Sequence, residues 1–472
     1  MIKINSDSNK IYSQKFHFIN EKSWETEQTN YPKNTSHFFN GKKKEVFIIS
    51  NEDDTIYLIG LGEISADVDY QDIGNNFAQS QKKNIQPIST EIIFENLDLN
   101  KISELVKGLF LGTYNYPFKG EHSFWQDEFS LSIKGLSAEE IQKITLDTDS
   151  ICKGQFACMD WLNKPANYKK APILTNFLRN LAKQYNFELE ILNTEGCAEK
   201  GLNAYLSVNQ GSAEDAAFCI IKYSAEKPEK TVGLVGKCVV FDTGGISIKG
   251  NTNLHYMKSD MGGATAVIGT LITAVERKLP VNITAILPIT DNAVSNTSYL
   301  PSDVITAYNG KTIEVIDTDA EGRMTLADGL SYMVKNFKPD VLIDLATLTG
   351  SAVRILGSTA GALFGNNDGL IKDLEKCGIK TNQKLWNLPL WDVWNEMLTS
   401  DVADLKNLPS SPVGGCITAA KFLENFIEGH KNWAHLDIAG VAFGKVNYAK
   451  EYAATGYGVQ LLINYLEKIC KT

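Results

Sequence analysis

The first third of the chain alternates short apolar runs with polar turns. Apolar positions that recur at helical spacing over residues 102–114 predict a helix. Apolar runs bounded by turn residues predict strands at residues 45–50, 55–62, 91–97 and 129–136. This mixture of elements predicts a small α/β domain over residues 1–150.

A longer helical pattern follows this domain. It begins at Ser137, which stands three residues before Glu140 in the spacing of a helix cap, and it runs to about residue 162. Asn163, Lys164 and Pro165 then stop the pattern, because proline cannot continue a helix. We expect this helix to join the first domain to the next.

From residue 172 onward, helix and strand patterns alternate. Helices are predicted at residues 173–185, 263–278, 324–337, 418–427 and 459–468, and strands at residues 231–241, 283–289, 312–316 and 341–345. Such alternation is typical of a mostly parallel, doubly wound sheet, in which ligands bind at the carboxyl ends of the strands. We therefore predict an α/β protein in which a helix joins the smaller N-terminal α/β domain to a larger C-terminal α/β domain, residues 160–472, with a mostly parallel central sheet.

Composition and charge narrow the classes of function. Hydrophobic residues make up 43% and charged residues 22% of 472 positions, as in ordinary folded proteins. A net charge of −10 argues against a nucleic-acid or anionic-membrane binder and favours peptide or small-molecule partners. The eight cysteines stand singly and predict neither a zinc ribbon nor a disulfide framework. With no apolar signal segment and no run near the roughly 18 apolar residues of a membrane span, we expect a cytoplasmic protein.

Three groups of acidic residues stand where the predicted elements begin or end. Asp242 ends the apolar run 231–241 and precedes Gly244 and Gly245, where the backbone can approach a ligand closely. An aspartate before glycines is also a common turn residue, so Asp242 alone does not decide between the two interpretations. Asp260 precedes the glycine pair that opens the next helix and could equally be a helix cap.

The third group is the most acidic. Asp317, Asp319, Glu321 and Arg323 lie at spacing two, so in an extended chain they share one face. Three acids on one face repel, and one arginine offsets too little of their charge, which points to bound divalent metal. A solvated, charged edge strand is the alternative. Carboxylates shared between two ions roughly 3.5–4 Å apart form a hydrolytic two-metal site, so we predict a carboxylate-bridged dinuclear centre.

Other catalytic motifs are incomplete. The six histidines form no HExxH pair, which excludes the common single-zinc peptidase. Ser247 and Lys249 could form a Ser-Lys dyad, and a Ser-Lys amidohydrolase is therefore the rival hypothesis.

Several motifs resemble the leucine aminopeptidase (cytosol aminopeptidase) family. The first is Gly236-Lys237 together with Phe241-Asp242-Thr243-Gly244-Gly245-Ile246-Ser247-Ile248-Lys249, and the second is Thr318-Asp319-Ala320-Glu321-Gly322-Arg323. Further matches are Met257-Lys258-Ser259-Asp260-Met261-Gly262-Gly263, Asp344-Leu345-Ala346-Thr347-Leu348-Thr349-Gly350, Asp437-Ile438-Ala439-Gly440 and Ala454-Thr455-Gly456-Tyr457-Gly458. The motifs are long and occur in the family's order, over about residues 160–470.

The resemblance implies a metal-dependent aminopeptidase that removes leucine and other N-terminal residues from peptides with a free N-terminus. By position, it implies that the ligands of one ion are Lys237, Asp242, Asp260 and Glu321, and that those of the other are Asp242, Asp319 and Glu321. It further implies that Lys249 stabilises the oxyanion and that Arg323 holds a bicarbonate acting as general base. Zinc or manganese is the expected metal, with magnesium as a third candidate, and no organic cofactor is expected.

Two positions depart from the family's pattern. The family usually has asparagine where Asp317 stands and serine where Thr243 stands, so extra negative charge at residue 317 could alter metal preference. The resemblance also implies a homohexamer, with a regulatory or oligomer-supporting role for the N-terminal domain. Some relatives bind DNA, so a non-catalytic nucleic-acid-binding relative is a further alternative, which the acidic charge disfavours.

Overall fold

The structure is a computed structural model that describes residues 3–5, 12–65, 68–86, 88–94, 97–115, 130–411 and 413–470. The chain divides into two compact units, one of Met1–Cys152 with Asn447–Lys450 and one of Lys153–Val446 with Glu451–Thr472. Within the described residues, no helix combines the length and the apolar character that crossing a bilayer would require.

The first unit contains a six-stranded sheet and its helices. Its strands are β1 Lys3–Asn5, β2 Gln14–Ile19, β3 Val46–Ser50, β4 Thr55–Gly60, β5 Thr90–Phe94 and β6 Ser130–Ile133; its helices are α1 Glu21–Glu27, α2 Tyr70–Gln81 and α3 Leu99–Leu111. The strand order is β1-β6-β5-β2-β4-β3, and among these described strands β3 alone runs antiparallel to its neighbour. Phe16 and Phe18 of β2 pack edge-on against Phe77 of α2 in the core.

The predicted α/β character of this unit is confirmed, although β2, α1 and α2 were not predicted. In β2 the buried Phe16 and Phe18 alternate with polar or basic residues over only six positions, which is too short a pattern to stand out. Residues 95–96 and 129, which two predicted strands include, lie outside the described residues.

Helix α4, Ala138–Asn163, starts as the sequence predicts. Glu140 N donates to Ser137 Oγ (3.3 Å), and Ser137 N donates to the Glu140 carboxylate (2.8 Å), so each residue satisfies a free backbone donor of the first turn. The helix ends at Asn163, two residues before Pro165.

The second unit contains the larger sheet. Its strands are β7 Glu188–Leu192, β8 Ala217–Tyr223, β9 Lys230–Gly236, β10 Cys238–Asp242, β11 Val281–Asn292, β12 Val304–Thr306, β13 Thr312–Glu314, β14 Val341–Ala346, β15 Gly361–Gly365, β16 Leu385–Asn387, β17 Leu405–Lys406, β18 Trp433–Asp437, β19 Phe443–Gly444 and β20 Ala453–Ala454. Its helices are α5 Ala171–Tyr185, α6 Thr194–Lys200, α7 Asn203–Asn209, α8 Gly262–Glu276, α9 Glu321–Phe337, α10 Gly350–Leu356, α11 Asp368–Lys380, α12 Gly415–Glu424 and α13 Val459–Ile469.

The order of the large sheet is β16-β15-β18-β14-β9-β11-β8-β7, with β10 beside the end of β11. Pairing is parallel from β18 through β14 and β9 to β11, and antiparallel where β15, β8 and β7 join. This confirms the predicted α/β fold with a mostly parallel central sheet. Its central strands are buried on both faces, which explains their almost continuous apolar sequences.

The predicted strand 231–241 is two strands, because β9 ends at Gly236 and β10 begins at Cys238, with Lys237 between them. β9 pairs with β14 and β11, whereas β10 pairs only with the last residues of β11 among the described strands. At this break Lys237 N donates to Leu345 O of β14, and Ala264 N of helix α8 donates to Lys237 O, each at 3.0 Å. A Cβ at Gly263 would collide with Leu345 O, so only glycine permits this approach.

Candidate metal centre

Asp242 ends β10 and is buried. Its Oδ1 accepts hydrogen bonds from Gly244 N (2.8 Å) and from Asn292 Nδ2 (2.9 Å). Asn292 ends β11 and lies in register with Asp242, so the parallel pairing of the strands sets the distance between them. The second carboxylate oxygen, Oδ2, lies 2.8 Å from Lys249 Nζ. Asp242 Oδ1 therefore stabilises the glycine turn, as the turn interpretation predicts, without using the second oxygen.

Asp319 and Glu321 reach the same place by a turn. The shared face of residues 317–323 was argued for an extended chain, and this segment is not extended: β13 ends at Glu314, and Glu321 is the first residue of α9. Asp317 Oδ1 accepts a hydrogen bond from Asp319 N at 2.8 Å, which closes a tight turn ahead of the helix. Side-chain-stabilised turns compete with strands at aspartate-rich segments, and here the turn forms.

The turn brings three carboxylates together. One oxygen from each of Asp242, Asp319 and Glu321 lies within 4.8 Å of the other two. Asp242 and Glu321 are buried, and Asp319 is half-buried. Carboxylates this close to one another require positive charge, and an all-oxygen set suits hard or borderline divalent ions.

Lys237 and Asp260 lie beside this cluster. Lys237 Nζ is 2.7 Å from Asp260 Oδ2 and 2.8 Å from Glu321 Oε1, and it donates to Thr347 O at 3.2 Å. Asp260 Oδ1 accepts a hydrogen bond from Thr347 Oγ1 at 2.8 Å. Asp260 does not cap α8, whose N-cap is Met261 without a side-chain hydrogen bond, so its carboxylate belongs to the cluster.

Lys249 approaches the cluster from a loop with two left-handed glycines, Gly244 (φ 89°) and Gly245 (φ 65°). Its Nζ is 2.8 Å from Asp242 Oδ2 and also contacts Asp319 Oδ1. Ser247 Oγ accepts a hydrogen bond from Thr318 N at 3.2 Å. Lys249 is thus an ammonium paired with carboxylates, which is unsuited to act as the base of a Ser-Lys dyad.

Four carboxylates, those of Asp242, Asp260, Asp319 and Glu321, meet two lysine ammonium groups. Burial and the charge of Asp242 raise the pKa of Asp319 to about 7, against the opposing effect of Lys249. Burial alone would lower the pKa of Lys237, but Asp260 and Glu321 raise it above its ordinary value. The cluster therefore carries more negative charge than its lysines balance.

Hydrogen bonding shows the same shortage of positive charge. Among the described residues, the buried oxygens Asp260 Oδ2, Asp319 Oδ1 and Glu321 Oε1 have only a lysine ammonium group beside them. Buried anionic oxygens are normally either hydrogen-bonded or bound to metal. The donor set, whose buried oxygens are served by lysine ammonium groups alone, therefore fits divalent ions.

Arg323 is the third residue of α9, within its first turn, and is buried. Its Nη1 donates to Asn407 O at 2.7 Å, while its Nε finds no hydrogen-bond partner among the described residues. Burial lowers the pKa of Arg323 to about 10, so the guanidinium keeps its charge at neutral pH. With Asp319 and Thr349 it lines a cleft of about 380 Å³. A buried cation with an unused donor at a cleft is suited to an anion.

Sequence reasoning missed two supporting residues, Asn292 and Thr347. Asn292 is the last residue of β11, as Asp242 is of β10, and Thr347 directly follows β14; the carboxyl ends of parallel strands meet at one edge. A polar residue at the end of an apolar strand could therefore have been predicted to lie beside Asp242.

Gly322 makes room for Lys237. A Cβ at Gly322 would lie 2.5 Å from Lys237 Cε and 2.6 Å from its Nζ. Alanine is favoured over glycine in a helix by about 1 kcal/mol, yet we expect Gly322→Ala to lose metal and activity because the methyl group displaces Lys237. Metal content and turnover of the purified variant test this. A Gly322→Ala protein that is more stable and fully active would contradict it.

Comparisons with known proteins agree with this geometry. The model of the cytosol aminopeptidase family, catalytic domain, matches residues 156–463. The probable cytosol aminopeptidase of Chlorobium limicola is 40% identical over 379 residues, covering 78% of this chain and 75% of the relative. The probable cytosol aminopeptidase of Rickettsia canadensis is 35% identical over 457 residues, covering 91% and 89%.

A solved structure shares the whole fold. The bottromycin maturation enzyme BotP, in complex with Mn, superposes with a TM-score of 0.86 at 26% sequence identity, covering 97% of this chain and 99% of BotP. Fold and matches together define a metal-dependent peptide hydrolase. The chain belongs to the cytosol aminopeptidase family. The predicted resemblance is confirmed, and the family does not favour the Ser-Lys amidohydrolase.

Proposed function

We propose that this protein is an aminopeptidase that uses two divalent ions to release leucine and other residues from peptides with a free N-terminus. The observation that carries the proposal is the buried cluster of Asp242, Asp319 and Glu321. It lies within family-matched sequence and carries an excess of negative charge. The relatives' names supply the reaction class, and the chain's own carboxylates supply the chemistry.

The contacts divide the proposed ligands into two overlapping sets. Glu321 lies beside Lys237 and Asp260 on one side and within the carboxylate triplet on the other. Lys237, Asp242, Asp260 and Glu321 would hold one ion, and Asp242, Asp319 and Glu321 would hold the second. When bound, two such ions activate water for attack at neutral pH and anchor the substrate's amine.

Lys237 can be a ligand only after losing a proton, because an ammonium has no lone pair. In the structure its ammonium pairs with Asp260 and Glu321. Metal binding would replace that proton, so affinity at this site should fall with decreasing pH.

Lys249 and Arg323 would act on the substrate side. The side chain of Lys249 is 23% exposed, so its ammonium can meet a substrate as well as Asp242 and Asp319. A positive charge there would stabilise the oxyanion that develops on the attacked carbonyl. The unused donor of Arg323 at the cleft supports its proposed role in binding bicarbonate, which would accept the proton of the attacking water.

The native metal is proposed to be zinc or manganese, with magnesium as a third candidate. Carboxylate oxygens bind all three, and a lysine nitrogen among the ligands favours the borderline ions over magnesium. BotP was solved with Mn.

Hydrolysis of leucine amide and of N-acetyl-leucine amide tests the reaction. We expect the metal-loaded enzyme to hydrolyse only the free amine, to lose activity on exhaustive chelation, and to regain it when Mn²⁺ or Zn²⁺ is returned. Hydrolysis of the acetylated substrate, or chelator-resistant activity that a serine reagent blocks, would support the Ser-Lys amidohydrolase instead. A protein that binds metal and hydrolyses neither substrate would favour a non-catalytic relative.

We also propose a homohexamer assembled through the C-terminal unit, with residues 1–150 supporting assembly or regulation, in the cytoplasm. Large apolar side chains exposed between residues 386 and 413 support an interface on that unit: Trp386, Trp391, Val393, Val402 and Val413. Light scattering at micromolar concentration should give about six times the 52.2 kDa chain mass. A monomeric mass would count against this assembly.

A further inference from the structure

Lys169 is a fully buried lysine that lies outside the proposed ligand set. It stands between the end of α4 and the start of α5, and none of its surface is exposed. Its Nζ donates to three backbone carbonyls, those of Trp161 (3.3 Å), Leu162 (3.2 Å) and Lys258. A buried charge is costly, so a lysine here needs a role that an apolar side chain could not fill.

Two of the three carbonyls belong to the last turn of α4. The final carbonyls of a helix lack partners within it and form the negative end of its dipole, where cations are stabilising. Lys169 binds the carbonyls of Trp161 and Leu162, and Lys258 Nζ binds the next one, Asn163 O, at 3.0 Å. Two lysines therefore complete the end of this helix.

The third carbonyl belongs to the segment that carries Asp260. Lys258 is the fifth residue of a 3-10 helix, Leu254–Ser259, and Asp260 follows directly. Asp260 N donates to Met257 O (3.3 Å), and Asp260 O accepts from Val239 N (3.2 Å). The Lys169 ammonium thus binds the backbone carbonyl of Lys258, two residues before the proposed metal ligand Asp260. The same ammonium binds the last turn of α4, so it joins the two segments.

The three acceptors match an ammonium. Burial and the nearby charge of Lys258 lower the pKa of Lys169 well below its ordinary value. The three carbonyls oppose this, because only the protonated form has three donors, and a neutral amine would turn a lone pair toward one of them. These three carbonyls, which we call the carbonyl cage, resemble the backbone carbonyls that replace the hydration shell of K⁺ in ion channels.

We propose that Lys169 is a positioning residue for the metal centre, in which its ammonium serves as a tethered cation that holds the Asp260 segment against the end of α4. The inference rests on the proposed function, since Asp260 must be a metal ligand for its position to matter. Loss of Lys169 should then weaken the ion that Asp260 helps to hold, more than the ion held by the other three carboxylates.

Two substitutions of Lys169 separate the effect of its positive charge from the effect of the volume that its side chain fills. Lys169→Met keeps an uncharged side chain of similar length in the cage, whereas Lys169→Ala opens the cage to a small cation. Metal content after dialysis against a weak chelator, turnover of leucine amide and melting temperature are measured in potassium chloride and in tetramethylammonium chloride at equal ionic strength. Tetramethylammonium is too large for the cage and has no N–H donor.

We expect Lys169→Met to fall from two metal ions per chain toward one and to lose at least tenfold in turnover in either salt. Lys169→Ala should show the same loss in tetramethylammonium and recover metal and turnover in potassium. The wild-type protein should bind two ions and respond equally to both salts. A wild-type protein that binds no metal would refute the proposed function instead of this inference.

Lys258→Met is the matched control. It removes the ammonium group that donates to Asn163 O but keeps the Lys258 backbone carbonyl that accepts from Lys169 Nζ. We expect it to melt at a lower temperature and yet retain both ions.

Equal metal loss in Lys258→Met and Lys169→Met, full metal content in Lys169→Met, or an absence of potassium rescue in Lys169→Ala would overturn the proposal. Failure of both Lys169 variants to fold in either salt would also overturn it, because a positioning role requires a folded protein that has lost metal.

Discussion

The Asp319→Asn variant is expected to lose bound metal and peptidase activity together. Asp319 supplies one of three carboxylate oxygens that lie within 4.8 Å of one another, and an amide has no charge with which to hold a divalent ion. Changes to residues that merely support a ligand weaken metal binding by about 10–100-fold, so losing a ligand should exceed about 100-fold. Activity should fall with the fraction of sites that still hold both ions.

Metal analysis and turnover on the same preparation measure this effect, and Asp317→Asn is its matched control. Asp317 uses its side chain to accept the backbone N–H of Asp319, and an asparagine oxygen can accept the same hydrogen bond. We therefore expect Asp317→Asn to retain both ions, although the same charge is removed two residues away. Full metal occupancy in Asp319→Asn, or equal loss in the two variants, would show that Asp319 is not a ligand.

Several features of the site could be predicted from the sequence because they follow from strand ends. Asp242 was located by an apolar run that stops at glycines, and the structure places it at the end of β10. Asp260 was ambiguous, since an aspartate before a helix is usually a cap. Only the contacts with Lys237 and Thr347 decide that its carboxylate serves the cluster.

Other features depended on geometry that no pattern reveals. The acids of segment 317–323 were expected to share one face of an extended chain, and they do converge, but through a turn and the first turn of α9. Lys237 carries no chemical signal of its own, because a lysine after an apolar strand is ordinary. Its position comes from the break between β9 and β10 and from the absence of a side chain at Gly322. The family resemblance identified Lys237, whereas composition and spacing did not.

Lys169 shows the same limit more clearly. Its sequence neighbours, Tyr168 and Lys170, are both exposed, and a lysine between them suggests a solvated surface. Only the folded chain shows that its ammonium is buried against carbonyls separated by up to 97 positions along the sequence. Charged residues that satisfy distant backbone groups are therefore the least predictable part of this site.

The Lys249→Ala variant is expected to keep both metal ions and to lose most of its turnover. Lys249 touches Asp242 and Asp319 but supplies no proposed ligand atom, so its loss leaves every proposed ligand oxygen in place. Removing one group that stabilises an oxyanion costs about 3–4 kcal/mol, which is roughly a hundred- to a thousandfold in kcat. KM should change little, because the interaction forms mainly in the transition state.

Metal content, kcat and KM for Lys249→Ala, measured beside Lys222→Ala, distinguish this role from a general loss of positive charge. Lys222 also pairs with a carboxylate, that of Glu188 at 3.1 Å, but it lies on β8 away from the cluster. We expect Lys222→Ala to match the wild-type enzyme in all three quantities. Near-normal kcat in Lys249→Ala would remove Lys249 from the reaction, and loss of metal from it would make Lys249 a support of the metal centre instead of a catalyst.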